Sequence, residues 1–203
     1  MAAVRLLLAT GNAGKARELA AALGGLGLEL LAFRDIPAGE LPAEDGTTYE
    51  ENALIKARHA ATTSGLPALA DDSGLEVAAL GGGPGIHSAR FGNQDSDEGR
   101  IAHMLERLRG VPAGQRQAAF HCSLVLCLPD GRWHSFSGRC DGVILEEPAG
   151  RGGHGYDPIF YSLDLGETFA QASEARKNEV SHRGRALAAF RSWLGSPASL
   201  LKD

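Results

Sequence analysis

Short apolar runs alternate with amphipathic stretches along the chain, and Gly or Pro stands at most of the junctions. Val4–Ala9, bounded by Thr10-Gly11-Asn12, predicts a buried strand. Ala13–Leu23 is rich in Ala, Leu and Glu and closes on Gly24-Gly25, which predicts a helix. Leu28–Phe33 is a second strand, and the polar, proline-containing Arg34–Gly46 a long loop. Thr47-x-x-Glu50 and Thr48-x-x-Glu51 are overlapping capping boxes for a helix that runs to about Ser64 and stops at Gly65 and Pro67. Leu66–Leu69 is a further buried strand, which Asp71-Asp72 ends in an Asp-Ser-Gly turn. Leu75–Leu80 leads into the glycine loop Gly81–Gly85. Asp95–Gly110 places Ile101, Met104, Leu105 and Leu108 on one helical face, a stripe for the core. Gln117–Leu128 and Arg132–Glu146 flank Asp130-Gly131, a strong hairpin signal. Pro148–Asp157 is a second glycine-rich loop, Ile159–Tyr161 a short strand, and Ser173–Leu194 one or two helices capped by Ser173. The simplest assembly is a mixed β-sheet flanked by helices, an α/β fold.

Composition narrows the class. A chain of 203 residues, 43% hydrophobic and 22% charged, suits one globular domain, in one or two lobes. No apolar run approaches the roughly 18–20 residues of a membrane span. The start of the chain has no signal pattern, so a cytoplasmic protein with no membrane partner is expected. Cys122, Cys127 and Cys140 are an odd set and read as buried thiols; Cys122 and Cys127 point to opposite strand faces and share no metal. The net charge of −5 disfavours a nucleic-acid polymer as partner. Only four lysines, Lys15, Lys56, Lys177 and Lys202, stand among twenty basic residues.

Candidate chemistry falls in four further places. Thr10-Gly11-Asn12-Ala13-Gly14-Lys15 is a strand–turn–helix entry whose backbone N–H groups suit a phosphate. It is not a Walker A motif, which needs Gly where Ala9 stands and Ser or Thr where Ala16 stands. Lys15 opposes the helix dipole and lacks a reason unless an anion binds there. Glu50 and Glu51 suit a helix N-terminus, whereas Glu44 lies outside it and is the better metal-ligand candidate. Gly150–Pro158 contains a literal G-x-G-x-x-G, but Pro158 and Ile159-Phe160-Tyr161 follow instead of a helix, which excludes a dinucleotide fingerprint. What remains is a flexible loop presenting His154, Tyr156 and Asp157, able to stack on a base and accept hydrogen bonds. Arg176-Lys177-Asn178 and Ser181-His182-Arg183-Gly184 form a donor cluster suited to a phosphate or the carbonyl edge of a base. Asp72 beside Ser73 completes the inventory, which is that of a metal-bound polyphosphate site.

With those segments in place the chain resembles the inosine/xanthosine triphosphate pyrophosphatase family. The matching stretches are ATGNAGKARELAAAL, ENALIKARHA, ADDSGLEVAALGGGPGIHSARF, FHCSLVL, EPAGRGGHGYDPIF and SHRGRALAAF, in order over nearly the whole chain. The resemblance implies hydrolysis of ITP, dITP and XTP to the monophosphate and pyrophosphate, with Mg²⁺ required, and cleansing of the nucleotide pool. It implies a single two-lobed α/β domain over 1–203 with the site in a central cleft, and a homodimer. By the same resemblance Asp72 is the general base, and Glu44 and Asp72 hold the metal; Asp71 reads as a supporting or turn-forming residue. Substrate contacts fall on Thr10, Gly11, Asn12, Ala13, Gly14, Lys15, Ser73, His154, Gly155, Tyr156, Asp157, Lys177, His182 and Arg183. Many members carry Phe where this chain has His154. A non-catalytic nucleotide sensor, which needs neither metal nor base, and a pyrophosphatase for modified pyrimidine or methylated nucleotides are the alternatives.

Overall fold

Strand β1 (Val4–Leu8) is the apolar starting point of the sheet, with Leu6, Leu7 and Leu8 all buried. In this computed structural model, which describes residues 4–36 and 40–201, β1 pairs in parallel on both sides. Its neighbours are β2 (Leu28–Ala32), with Val4 opposite Leu28, and β3 (Ala68–Val77), with Leu8 opposite Leu69. Parallel neighbours need a crossover. Helix α1 (Ala13–Leu23) joins β1 to β2, and α2 (Tyr49–Ser64) lies between β2 and β3 in the chain. The middle of the loop expected over Arg34–Gly46 lies outside the described residues, as does Lys202.

Both helices start and stop where local chemistry dictates. The Asn12 side chain caps α1 by accepting from the N–H groups of Gly14 and Lys15, and Gly24 ends it. Of the overlapping boxes, Thr48 supplies the cap of α2, and the Glu51 carboxylate returns to the N–H and hydroxyl of Thr47. Gly65 closes α2 in the left-handed conformation, at φ 68°. The buried face of α2 carries Ala53, Ala57, Ala60 and Ala61, packed with Leu7, Ala68, Ala70, Val125 and Cys127. Small side chains at that spacing let the helix backbone come close to the sheet.

The seven strands follow the order β2-β1-β3-β4-β5-β6-β7. The later ones are β4 (Gln117–Cys127), β5 (Trp133–Ile144), β6 (Phe160–Ser162) and β7 (Glu167–Thr168), with β5–β6 and β6–β7 antiparallel. The sheet is mixed and helix-flanked, as the sequence predicts. The remaining helices are α3 (Asp97–Arg107), α4 (Glu174–Val180) and α5 (His182–Gly195). Among the described residues, no helix is long and apolar enough to cross a membrane. The three cysteines are free and buried, as expected.

The chain divides into two compact units. The first comprises Met1–Asp72, Ser123–Ser137 and Ala186–Asp203, with the alanine-rich core just described. The second comprises Ser73–Cys122 and Gly138–Arg185. Its core gathers Leu75, Val77, Ile101, Met104, Leu108 and the aromatic rings of Phe120, Phe160 and Phe169. The Phe120 ring meets those of Phe160 and Phe169 at centroid distances of 4.7 and 5.9 Å. The stripe predicted for α3 therefore faces the core, with Leu105 at its half-buried margin.

Two differences from the sequence reading have physical causes, and the choice it left between one helix and two is decided. Strand β2 stops at Ala32, because Phe33 begins a short 3-10 turn. Strand β7 has two residues, too short to show any period. Ser173–Leu194 resolves into two helices, broken at Ser181. There the Ser181 N–H ends α4 on the Lys177 carbonyl, and the Ser181 hydroxyl accepts from Gly184 N–H at 3.0 Å to start α5. Only Gly fits at 184, because a Cβ there would lie 1.7 Å from the Asn178 carbonyl oxygen. Gly184→Ala is expected to destabilise the protein by about 1–3 kcal/mol or more. Gly114→Ala, where a Cβ meets nothing within 4 Å, should stay within about 0.5 kcal/mol. Chemical denaturation of both variants checks the contrast.

Candidate active site

In the first unit, β3 runs on past the last residue of β1 and carries Asp71 and Asp72 as strand residues, 1% and 5% exposed. The turn expected at Ala70–Gly74 does not form: the strand continues to Val77, and Asp71 is no turn residue. Burying two carboxylates in a strand requires counter-charges, and α1 and α2 bring them. Lys15, in the first turn of α1, pairs with Asp71 at 3.1 Å. That pair explains a lysine at a helix N-terminus without invoking a phosphate. Lys56, on the buried face of α2, donates to the Asp71 carbonyl at 2.7 Å, pairs with Glu44, and lies 4.0 Å from Asp72. Asn52, one turn earlier, donates to Asp72 Oδ2 at 3.1 Å and accepts from Gly46 N–H at 2.9 Å, which ties the loop after Glu44 to α2.

The turn Thr10–Lys15 differs in part from the expected cradle. Asn12 Oδ1 takes the N–H groups of Gly14 and Lys15 at 2.8 and 3.1 Å, and Thr10 Oγ1 takes that of Asn12 at 3.2 Å. The cap therefore fills donors that a phosphate would use. Gly11, Asn12 and Ala13 are exposed at the mouth of the turn. The cationic character of this end comes from the Lys15 and Lys56 ammonium groups.

Asp72 differs chemically from Asp71. Burial pushes its carboxyl above the ordinary aspartate value, and the nearby Glu44 charge pushes it further; Lys56, Lys15 and the Asn52 hydrogen bond oppose the rise without cancelling it. A raised carboxyl holds a proton more firmly, which suits a general base. Among the described residues, no three His, Cys, Asp or Glu side chains form a ready-made cation cage. Glu44 and Asp72 nevertheless face one ammonium and repel each other. Two such carboxylates fit a hard cation that takes its other ligands from water and phosphate oxygens.

In the second unit, Arg183 and His182 occupy the first turn of α5, 3% and 5% exposed. Arg183 Nη2 donates to Ser73 Oγ at 3.1 Å, and the His182 ring stacks on Phe120 at 4.7 Å with an interplanar angle of 11°. Lys177 is buried beside Phe169 and pairs with Asp157 Oδ2 at 2.6 Å. The same oxygen accepts the His154 N–H at 2.8 Å. The loop expected to be flexible and to present three side chains is thus pinned, and presents one. Tyr156 is a core residue whose hydroxyl donates to the Ser88 carbonyl at 2.8 Å, and burial pushes its phenol pKa up. Asp157 is a buried anchor, Gly155 is half-buried, and His154 alone of these side chains is half-exposed.

A family model described as the Ham1 family matches residues 6–193. The chain belongs to the Ham1 family. A dITP/XTP pyrophosphatase of Geobacter sulfurreducens is 53% identical over 192 residues, 94% of this chain and 96% of that protein. Another, of Thermus thermophilus, is 50% identical over 187 residues, 92% and 90% of the two chains. The structure of a HAM1 protein from Coxiella burnetii matches with a TM-score of 0.86 at 39% identity, covering 94% of this chain and 98% of that one.

Within this Ham1-family chain, sequence reasoning missed Lys56 and Asn52. The signal was present: both sit on the alanine face of α2, where a polar side chain is buried and needs a partner. Two stability tests follow. Lys177→Met leaves Asp157 buried without its ammonium and should cost about 3–5 kcal/mol by chemical denaturation; a loss under about 0.5 kcal/mol would make the pair incidental. For Asp72, folding raises the pKa, so its charge subtracts from stability above the folded pKa and costs nothing below the unfolded one. Asp72→Asn should therefore melt at an equal or higher temperature than wild type at pH 7, with the gap closing toward pH 4. A lower melting temperature would show that the ion pairs of Asp72 outweigh its burial.

Proposed function

We propose that the protein hydrolyses non-standard purine nucleoside triphosphates (dITP, XTP and ITP) to the monophosphate and pyrophosphate, and so removes them from the nucleotide pool. The observation that carries this reading is Asp72: a buried carboxylate of raised proton affinity, flanked by the Lys15 and Lys56 ammonium groups. The relatives named dITP/XTP pyrophosphatase supply the substrate class.

In this reading Asp72 takes the proton of the attacking water, and Lys15 and Lys56 meet the charge of the phosphates. Both lysines are already held in place by Asp71 and Glu44, so little ordering is needed when a polyanion arrives. Glu44 and Asp72 would hold Mg²⁺, which would neutralise charge on the phosphates. A keto oxygen at purine position 6 accepts hydrogen bonds where the amino group of adenine donates, so Arg183 and His182 favour hypoxanthine and xanthine. Ser73 fixes the guanidinium and Phe120 the imidazole plane, which pre-orients both donors. Guanine carries the same oxygen, and these donors do not separate it. The homodimer and cytoplasmic location that the resemblance implies belong to the same proposal.

Asp72→Asn should keep nucleotide binding and lose turnover by about 10²–10⁴-fold, the usual worth of a general base. Steady-state rates with dITP at saturating Mg²⁺ check this, and wild-type turnover would remove Asp72 from the mechanism. In the metal-free protein Asp72 should take up its proton with a midpoint above the ordinary aspartate value of about 3.9, read by NMR titration of the carboxyl carbon. A midpoint at or below that value contradicts the raised proton affinity.

A further inference from the structure

Asp97 stands at the first position of α3, where a carboxylate is favoured by the helix dipole alone. The helix does not need it as a cap, because Ser96 Oγ already accepts the Gly99 N–H at 3.0 Å. Asp97 instead reaches across 58 positions of sequence, and its Oδ2 accepts the Gly155 N–H at 2.7 Å. Its other oxygen pairs with Arg100, whose Nη1 is itself anchored on the Gln94 carbonyl at 2.9 Å. The neighbouring amide, His154 N–H, ends on Asp157, which Lys177 holds. Two successive amides of one loop are therefore clamped by two carboxylates from different elements. The loop is wrapped closely on the second: a Cβ at Gly153, which has φ 74°, would lie 2.1 Å from Asp157 Oδ2.

The two clamps differ in burial. Asp157 is 3% exposed and part of the fold, whereas the Asp97 side chain is 38% exposed and can be changed without opening the core. Burial raises its carboxyl pKa, but the Gly155 N–H and Arg100 outweigh that and hold it below the ordinary value, with His154 contributing attraction. The clamp thus stays charged through the neutral range.

We infer that Asp97 is a positioning residue for base recognition: by fixing the Gly155 amide it holds His154, half-exposed where Tyr156 and Asp157 are buried, in the place where the purine is read. This rests on the proposed function, with His154 as the ring that stacks on the base, and assigns base affinity, as distinct from phosphate affinity, to a carboxylate outside both clusters.

Calorimetric titration with two probes separates the terms: inosine monophosphate, which carries the base, and inorganic pyrophosphate, which does not. In Asp97→Ala the Kd for inosine monophosphate should rise by about 10–100-fold, the worth of a hydrogen bond to a charged group, with that for pyrophosphate within about twofold. Asp97→Asn keeps an acceptor for Gly155 and loses the charge, so it should fall between wild type and Asp97→Ala; it carries the test should Asp97→Ala fail to fold. Amide hydrogen exchange over residues 153–156 should accelerate in the same order. Equal weakening of both ligands, or of neither, overturns the inference. A wild-type protein that binds pyrophosphate but no inosine monophosphate overturns the proposed function, and this inference with it.

Discussion

Two carboxylates carried through the interior of one strand are the constraint around which the first unit is built. Each buried ion costs several kcal/mol in lost hydration unless charge and hydrogen bonds compensate. Strand β3 runs past the last residue of β1 there, and the helices supply them. Asn12 starts α1 where Lys15 falls 3.1 Å from Asp71. Thr48 starts α2 in a register that turns Asn52 and Lys56 inward with the alanines. The caps therefore set more than helix length. They fix which side chains face Asp71 and Asp72.

Compensation is uneven, and the unevenness is chemically useful. Asp71 has a direct ammonium partner, while Asp72 has an amide donor, an ammonium at 4.0 Å and a like charge in Glu44. One carboxylate is settled and the other retains a raised affinity for a proton. The second unit uses the same device to other ends, with Arg183 held by Ser73 and Lys177 by Asp157. Lys177, read from sequence as a ligand contact, sits in a buried ion pair that anchors the loop displaying His154.

Most of the fold was legible because its signals are local. Gly24 and Gly65 stop α1 and α2, Thr48 and Ser173 cap helices, and Asp130-Gly131 turns the hairpin. Asp72, Lys15, Glu44, Lys177, His182 and Arg183 stood out in the sequence as candidates, but their partnerships did not. Whether Asp71-Asp72 make a turn or a strand depends on ammonium groups supplied from residues 15 and 56, which no local window contains. Tyr156 was misjudged for the same reason: its hydroxyl partner, the Ser88 carbonyl, is 68 positions away. Local residue types announced a phosphate-and-base chemistry, and long-range pairing shows which side chains hold others in place.

The central claim is cleavage of a purine nucleoside triphosphate between its α and β phosphates. Phosphorus NMR of dITP incubated with the protein and Mg²⁺ tests it most directly. Equimolar deoxyinosine monophosphate and pyrophosphate are expected, with no orthophosphate. Orthophosphate and the diphosphate as products, or dITP left intact while it binds, would contradict it.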